Sequence, residues 1–212
     1  MKSVKIIAVL IFFFASNCKR PSIISLTNSE QKQIIAIQPL NNYAEKEFAS
    51  IPAVIRSFYN KQVIVLKPID IPKTFFNKIL NGYSADSIIM LLSKLQNKTV
   101  VEIVGLTHEA IYTIKEDKYH TPYYDEDIFG MGYLPGNSCI VSDIRFMTND
   151  SAILYHRLRN VIIHEVGHNA GLPHCSDNRC IMSETNGSIL NLDNGGNDYC
   201  NQCKFFMPIN IR

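Results

Sequence analysis

The stretch from Ser151 to His174 limits the fold more than any other, because it specifies both a helix and the point where that helix stops. Leu154, Leu158, Val161 and Ile162 recur at the spacing of one helical face. Asp150 or Ser151 offers a side-chain oxygen to cap the first turn. Gly171 can enter the left-handed backbone that closes a helix, and Pro173 cannot donate to a continued one. The pattern predicts a buried helix over 151–169 followed by a reversal. His164 and His168 are four residues apart and share one face. The reversal returns His174 toward them from outside the helix.

Two imidazoles one turn apart can hold one ion at about 2.0–2.1 Å, the usual zinc–nitrogen length. With His174 as a third ligand, a fourth position stays open for water, which is the pattern of a catalytic zinc. Glu165 lies beside that position. It can take a proton from the acidified water and pass it to a leaving amine. HExxH with this extension to Gly171 and His174 points to metal-assisted hydrolysis of a peptide bond.

Four cysteines follow at once. Cys175 and Cys180 have four residues between them, and Cys200 and Cys203 form a CxxC pair. Two such pairs fit a closed, four-thiolate structural zinc site. Disulfides Cys175–Cys180 and Cys200–Cys203 are the alternative, since the N-terminus carries export features and exported cysteines are often oxidised. Either way they staple a turn-rich tail too poor in apolar runs to fold alone. Cys139 reads as a small buried residue in a strand.

Those export features are Lys2 and Lys5, an apolar run from Ile6 to Ala15, and Ala15-Ser16-Asn17-Cys18. The run is too short to span a bilayer and has the shape of a secretory signal. Its end resembles a bacterial lipobox, with Asn17 where a smaller residue is usual. The expectation is a signal peptide over 1–17 and lipidation of Cys18. A tether over 18–30 and one domain over 31–212 would follow, anchored to the bacterial cell envelope by lipid and not by a span. Secretion or a periplasmic location is the alternative. The full chain has 21 Lys+Arg against 19 Asp+Glu. Removing Lys2 and Lys5 leaves 19 against 19, with no charge footprint for nucleic acid.

Elsewhere, strands are predicted at 33–40, 62–67, 99–107, 110–115 and 138–147. Helices are predicted over Tyr43–Tyr59, with Pro52 a potential kink, and over Ser84–Leu95, with Ser84 as cap. Residues 116–137, rich in Tyr, Asp, Gly and Pro, read as a long surface loop. This alternation argues for an α/β (α+β) domain built on a mixed, mostly parallel sheet packed with helices. His108-Glu109 copies the start of the metal motif, but Tyr112 stands where a second histidine is needed, so it reads as a loop end. His120 and His156 read as surface residues. Tyr124 and Tyr133 are candidates to hydrogen-bond a tetrahedral intermediate, with nothing in the spacing to single them out.

The whole run is HExxHxxGxxH, Cys175, four residues, Cys180-Ile181-Met182, seventeen residues, Cys200-Asn201-Gln202-Cys203. It resembles the archaemetzincin family of zinc metallopeptidases at every defining position, and the likeness reaches from Gln33 to Phe206. "NGYSADSIIMLLSKL" is similar to that family's tyrosine-containing helix start, and "SCIVSDIRF" to its edge strand before the active-site helix. The resemblance implies a compact metzincin-like domain with a cleft and a zinc-stapled C-terminal subdomain. It implies two Zn2+ per chain: a catalytic ion on His164, His168 and His174 with Glu165 as base, and a structural ion on Cys175, Cys180, Cys200 and Cys203. Met182 becomes the Met-turn beneath the histidines. The implied reaction is hydrolysis of small peptides or aminopeptidase cleavage by a monomer, and the implied partner is a peptide substrate. Such a peptide would pair with strand 138–146, with the Tyr119–Tyr133 loop rimming the cleft. A zinc-binding envelope protein with little or no peptidase activity is the competing reading. A cleft filled by residues 116–137 would favour it.

Overall fold

The apolar runs of the N-terminal half pair as neighbours in the computed structural model, which describes residues 33–117, 119–125 and 128–207. The signal-like segment, Cys18 and the 18–30 tether lie outside these residues. Strand β1 (Ile34–Pro39) is followed by a single 3-10 turn at Glu45–Glu47 and helix α1 (Ile51–Tyr59). The helix expected over Tyr43–Tyr59 is therefore shorter. Pro52 does not kink it but sits in its first turn, where the missing N–H has no helical partner to lose. Tyr43 and Phe48 are buried outside the helix, in the turn before it.

Next come β2 (Gln62–Val65), β3 (Phe76–Asn77) and β4 (Gly82–Ser84). Helix α2 (Ala85–Ser93) is capped by the Ser84 hydroxyl, which accepts from the Ser87 amide at 3.2 Å. The chain continues through β5 (Val100–Thr107), β6 (Ile111–Glu116), β7 (Pro122–Asp125), β8 (Gly130–Gly132) and β9 (Ser138–Ser142). Helix α3 (Ser151–Asn169) has the predicted bounds, and Asp150 Oδ1 accepts from the amides of Ala152 and Ile153. Two short helices, α4 (Ile189–Asn194) and α5 (Asn201–Phe206), complete the tail.

The main sheet has five strands in the order β2-β1-β5-β9-β8. Its first three pairings are parallel, and β8 runs antiparallel against β9. Strand 110–115 does not join it. As β6 it lies in a smaller sheet, β3-β4-β6-β7. One face of the main sheet packs Ile35, Ile37, Val104, Leu106 and Val141 against α1 and α3; the other packs Ala36, Ile103 and Ile140 against α2. Gly105 permits the close α2 contact, since a Cβ there would lie 2.7 Å from Leu92 Cδ1. Among the described residues no helix is long and apolar enough to cross a membrane.

Two expectations fail around the cleft. Residues 116–137 are not one loop: they contain β7, which closes a hairpin with β6, and β8. Strand 138–147 ends at Ser142, because Asp143 turns its carboxylate to Tyr43 and His108 and its carbonyl to the amide of Phe146. Nor is that strand an edge. It is hydrogen-bonded to β5 on one side and β8 on the other, so it has no side open to a peptide.

Candidate active site

Helix α3 forms the floor of a cavity of about 780 Å³. Asn160, Val161, His164, Glu165 and His168 face it from successive turns. Strand β8 lines one wall, the β6–β7 hairpin supplies Thr113, Ile114, Lys115, Tyr123 and Asp125, and the tail contributes Ser183–Gly187, Leu192 and Gly195.

The helix ends as its sequence predicts. Gly171 adopts φ +93°, and the amides of Gly171 and Leu172 return to the carbonyls of His168 and Gly167. The reversal carries His174 back, and the three imidazole rings stand 4.6, 4.9 and 5.4 Å apart, centroid to centroid. One ring nitrogen from each lies within 4.8 Å of the others. The hydrogen bonds fix which nitrogens are free. His164 Nδ1 donates to the Ile181 carbonyl at 2.7 Å, and His168 Nδ1 to the Leu172 carbonyl at 2.8 Å. Each ring then keeps an unprotonated Nε2, the donor a metal needs. Burial and the neighbouring imidazoles lower both pKa values, that of His164 to about 3, so both rings are neutral. A neutral, converging N3 set fits a borderline-soft divalent ion such as zinc.

Glu165 is buried, and the backbone amide of Gly132 donates to its carboxylate. Burial pushes that carboxyl up to about 8; the Gly132 hydrogen bond and the Lys115 charge pull the other way. Strand β8 can lie this close because it is glycine at both ends: a Cβ on Gly130 would be 2.8 Å from Glu165 Cγ. The helix is also gripped from behind, where Tyr59 and Tyr199 both donate to the carbonyl of Ile163.

The four cysteines meet beneath the loop that carries His174. Cys175 and Cys200 have their sulfurs 3.8 Å apart, and Cys180 and Cys203 3.7 Å. Four thiolates around zinc at about 2.3 Å stand about 3.8 Å apart along a tetrahedron's edges, whereas a disulfide needs about 2.05 Å. All four sulfurs lie within 4.8 Å of one another, and none of the described cysteines is bridged. The donor set therefore fits a closed zinc site. Its nearest sulfur pairs also cross between the two sequence motifs. Met182 is fully buried; a Cβ on Gly167 would lie 2.5 Å from its Sδ. Its carbonyl accepts from the Cys175 amide, which ties Met182 to the start of the cysteine cluster.

The remaining candidates separate. Tyr133 donates to Asp86 at 3.0 Å, and burial with that carboxylate raises its phenol to about 12. Tyr124 packs edge-on to Tyr112. His120 is exposed on the hairpin turn, and His156 is partly buried, accepting from Asn160. His108 is more than a loop end: it bonds Asp143 at 2.8 Å and Glu47 at 3.2 Å and stacks on Tyr43. Gly132 and Glu102 escape sequence reading altogether. An isolated glycine and a polar residue inside a strand are the only marks they leave.

A family model described as Peptidase family M54 matches residues 37–207. An archaemetzincin of Haloquadratum walsbyi is 26% identical over 179 residues, 80% of this chain and 96% of that one. The solved archaemetzincin of Archaeoglobus fulgidus, complexed with malonate, superposes with a TM-score of 0.68 at 25% identity, covering 82% of this chain and all of the other. That of Methanopyrus kandleri gives 0.70 at 22% identity over 85% and 97%. With this family match spanning both ligand clusters, the chain belongs to peptidase family M54, the archaemetzincin-type zinc metallopeptidases.

Proposed function

We propose that this zinc metallopeptidase uses Glu165 as its general base and cleaves small peptides, by aminopeptidase or similar short-range action. The zinc ligands would be His164, His168 and His174. The carrying observation is the convergence of three imidazoles, two of them with Nδ1 committed to carbonyls, beside a carboxyl buried in the same cleft. Zinc held there supplies a Lewis acid that acidifies water and polarises a carbonyl. Glu165 receives the proton from the attacking water and returns it to the leaving amine. The Gly132 amide holds the carboxylate against the cleft wall while it does so. An extended peptide pairs with the outer edge of β8, the strand that ends the sheet on the cleft side. A cavity of about 780 Å³ suits a short peptide. That same space argues against a binding module whose cleft is filled by residues 116–137.

Cys175, Cys180, Cys200 and Cys203 hold the second, structural zinc in this reading, and Met182 forms the floor under the histidines. This reading takes the protein as a monomer. Lys2, Lys5, the apolar run to Ala15 and Cys18 support an exported protein anchored by lipid in the cell envelope. Labelling with a fatty-acid analogue, lost on Cys18→Ala, checks the anchor.

The decisive experiment compares zinc-loaded wild type with Glu165→Gln on a peptide library. Turnover falling about a hundredfold or more is expected. Equal turnover overturns the assignment of the base.

A further inference from the structure

Behind the active-site helix lies a buried polar pair that the reaction does not use. Glu102, on β5, is 7% exposed on the sheet face that meets α3. Its Oε1 lies 2.6 Å from Asn169 Nδ2. Asn169 follows His168 directly, and its own Oδ1 is buried with no partner.

The surroundings of that orphan oxygen are informative. A Cβ on Gly136 would lie 2.3 Å from Asn169 Oδ1 and 2.9 Å from the Tyr133 carbonyl oxygen. One on Gly132 would lie 3.0 Å from Asn169 Oδ1 and 2.6 Å from the Glu165 carbonyl oxygen. The backbone carbonyls of Tyr133 and Glu165 thus lie in the same neighbourhood as this oxygen, beside the two glycines. A donor there would be satisfied, and Asn169 carries one on the other arm of the same amide.

We propose that Glu102 is a neutral carboxylic acid that donates to the carboxamide oxygen of Asn169, whose NH2, turned the opposite way, lies on the side of the Tyr133 and Glu165 carbonyls. This orientation gives the buried carboxamide oxygen of Asn169 the donor that the opposite orientation denies it. The arrangement joins β5, the last turn of α3 and the strap Gly130–Gly136. The Gly136 amide already donates to the Asn169 carbonyl at 3.0 Å. Glu102 is then a positioning residue. It sets the seat of the strap whose Gly132 amide holds Glu165, and it touches no substrate. Burial favours the same neutral state, raising the carboxyl to about 8. The titratable groups that feel it are the Tyr59 hydroxyl of α1 and the Cys139 thiol of β9, neither a cation.

The inference rests on Glu165 being the base, and its test separates the two. Infrared difference spectra of zinc-loaded wild type minus Glu102→Gln at neutral pH should contain a protonated carboxylic acid band. In parallel, Glu102→Gln, which keeps a donor toward Asn169, should retain kcat near wild type. Glu102→Leu should lower kcat about ten- to hundredfold with KM little changed. A carboxylate band in place of the acid band, or Glu102→Gln as damaging as Glu102→Leu, overturns the proposal. The spectrum needs no turnover, so its failure leaves the peptidase reading intact. An active Glu165→Gln would sink that reading and leave the band in place.

Discussion

Gly167 and Met182 meet with no room for a side chain between them: a Cβ on the glycine would lie 2.5 Å from the methionine sulfur and 2.9 Å from the Tyr199 hydroxyl. The turn of α3 that joins His164 to His168 therefore rests directly on the tail. Gly167→Ala should force Met182 and Tyr199 away and destabilise the protein by about 1–3 kcal/mol, the usual range for overpacking. It should also weaken zinc binding at the histidines. Thermal melts with and without zinc check this; melts and affinity matching wild type would contradict the contact.

Metal counting tests the two ligand clusters independently. Intact protein from its native compartment should carry about two zinc per chain, with its four clustered thiols metal-protected. His168→Ala should lose one zinc and keep its fold. Cys203→Ser should lose the other and loosen the tail. One zinc together with no titratable thiols in that cluster would mean disulfides.

His108 links the end of β5 to Asp143 and Glu47, and both carboxylates raise its pKa above 6.5 against the opposing effect of burial. A histidine whose folded pKa is raised stabilises fully below its unfolded pKa of 6.5. That contribution is lost as pH rises through the higher folded value. Denaturant melts should show wild type losing stability over this window, and His108→Gln should flatten the loss. Identical pH profiles would show that the pair contributes nothing.

For Glu102 the sign is opposite in origin. Its unfolded value of 4.5 lies below a folded value of about 8. Folding therefore favours the protonated acid, and stability falls as pH rises between those values. Replacement by Gln should remove that fall, so wild type and Glu102→Gln should diverge in stability most at and above pH 8. A constant difference across the range would exclude ionisation of Glu102 as the cause.

Local patterns were legible. The bounds of α3, the stop at Gly171 and the convergence of His164, His168 and His174 follow from helical spacing and two special backbones. What stayed hidden depends on distant pairing. Strand β8 is Gly130-Met131-Gly132, too short and too glycine-rich to show alternation, and only its partner β9 makes it a strand. Without β8, residues 138–142 read as an edge. Pro52 carried two meanings, kink or first-turn residue, and only burial of Tyr43 and Phe48 outside the helix separates them. Glu102 stands in a strand where polar residues usually face water, yet the sheet is covered on both faces. His108 finds Asp143 thirty-five residues away, a separation no motif spans.

The adjacency of His174 and Cys175 also sets an order of events. Cys175 is gathered with Cys200, their sulfurs 3.8 Å apart. During synthesis, the contact that seats the His174 loop on Cys200 can form only after residues 200–203 have emerged. A chain stalled before that point has only the helix stop at Gly171 and the Cys175–Met182 hydrogen bond to place His174. A product truncated before Cys200 should therefore hold His174 less firmly than the full chain does.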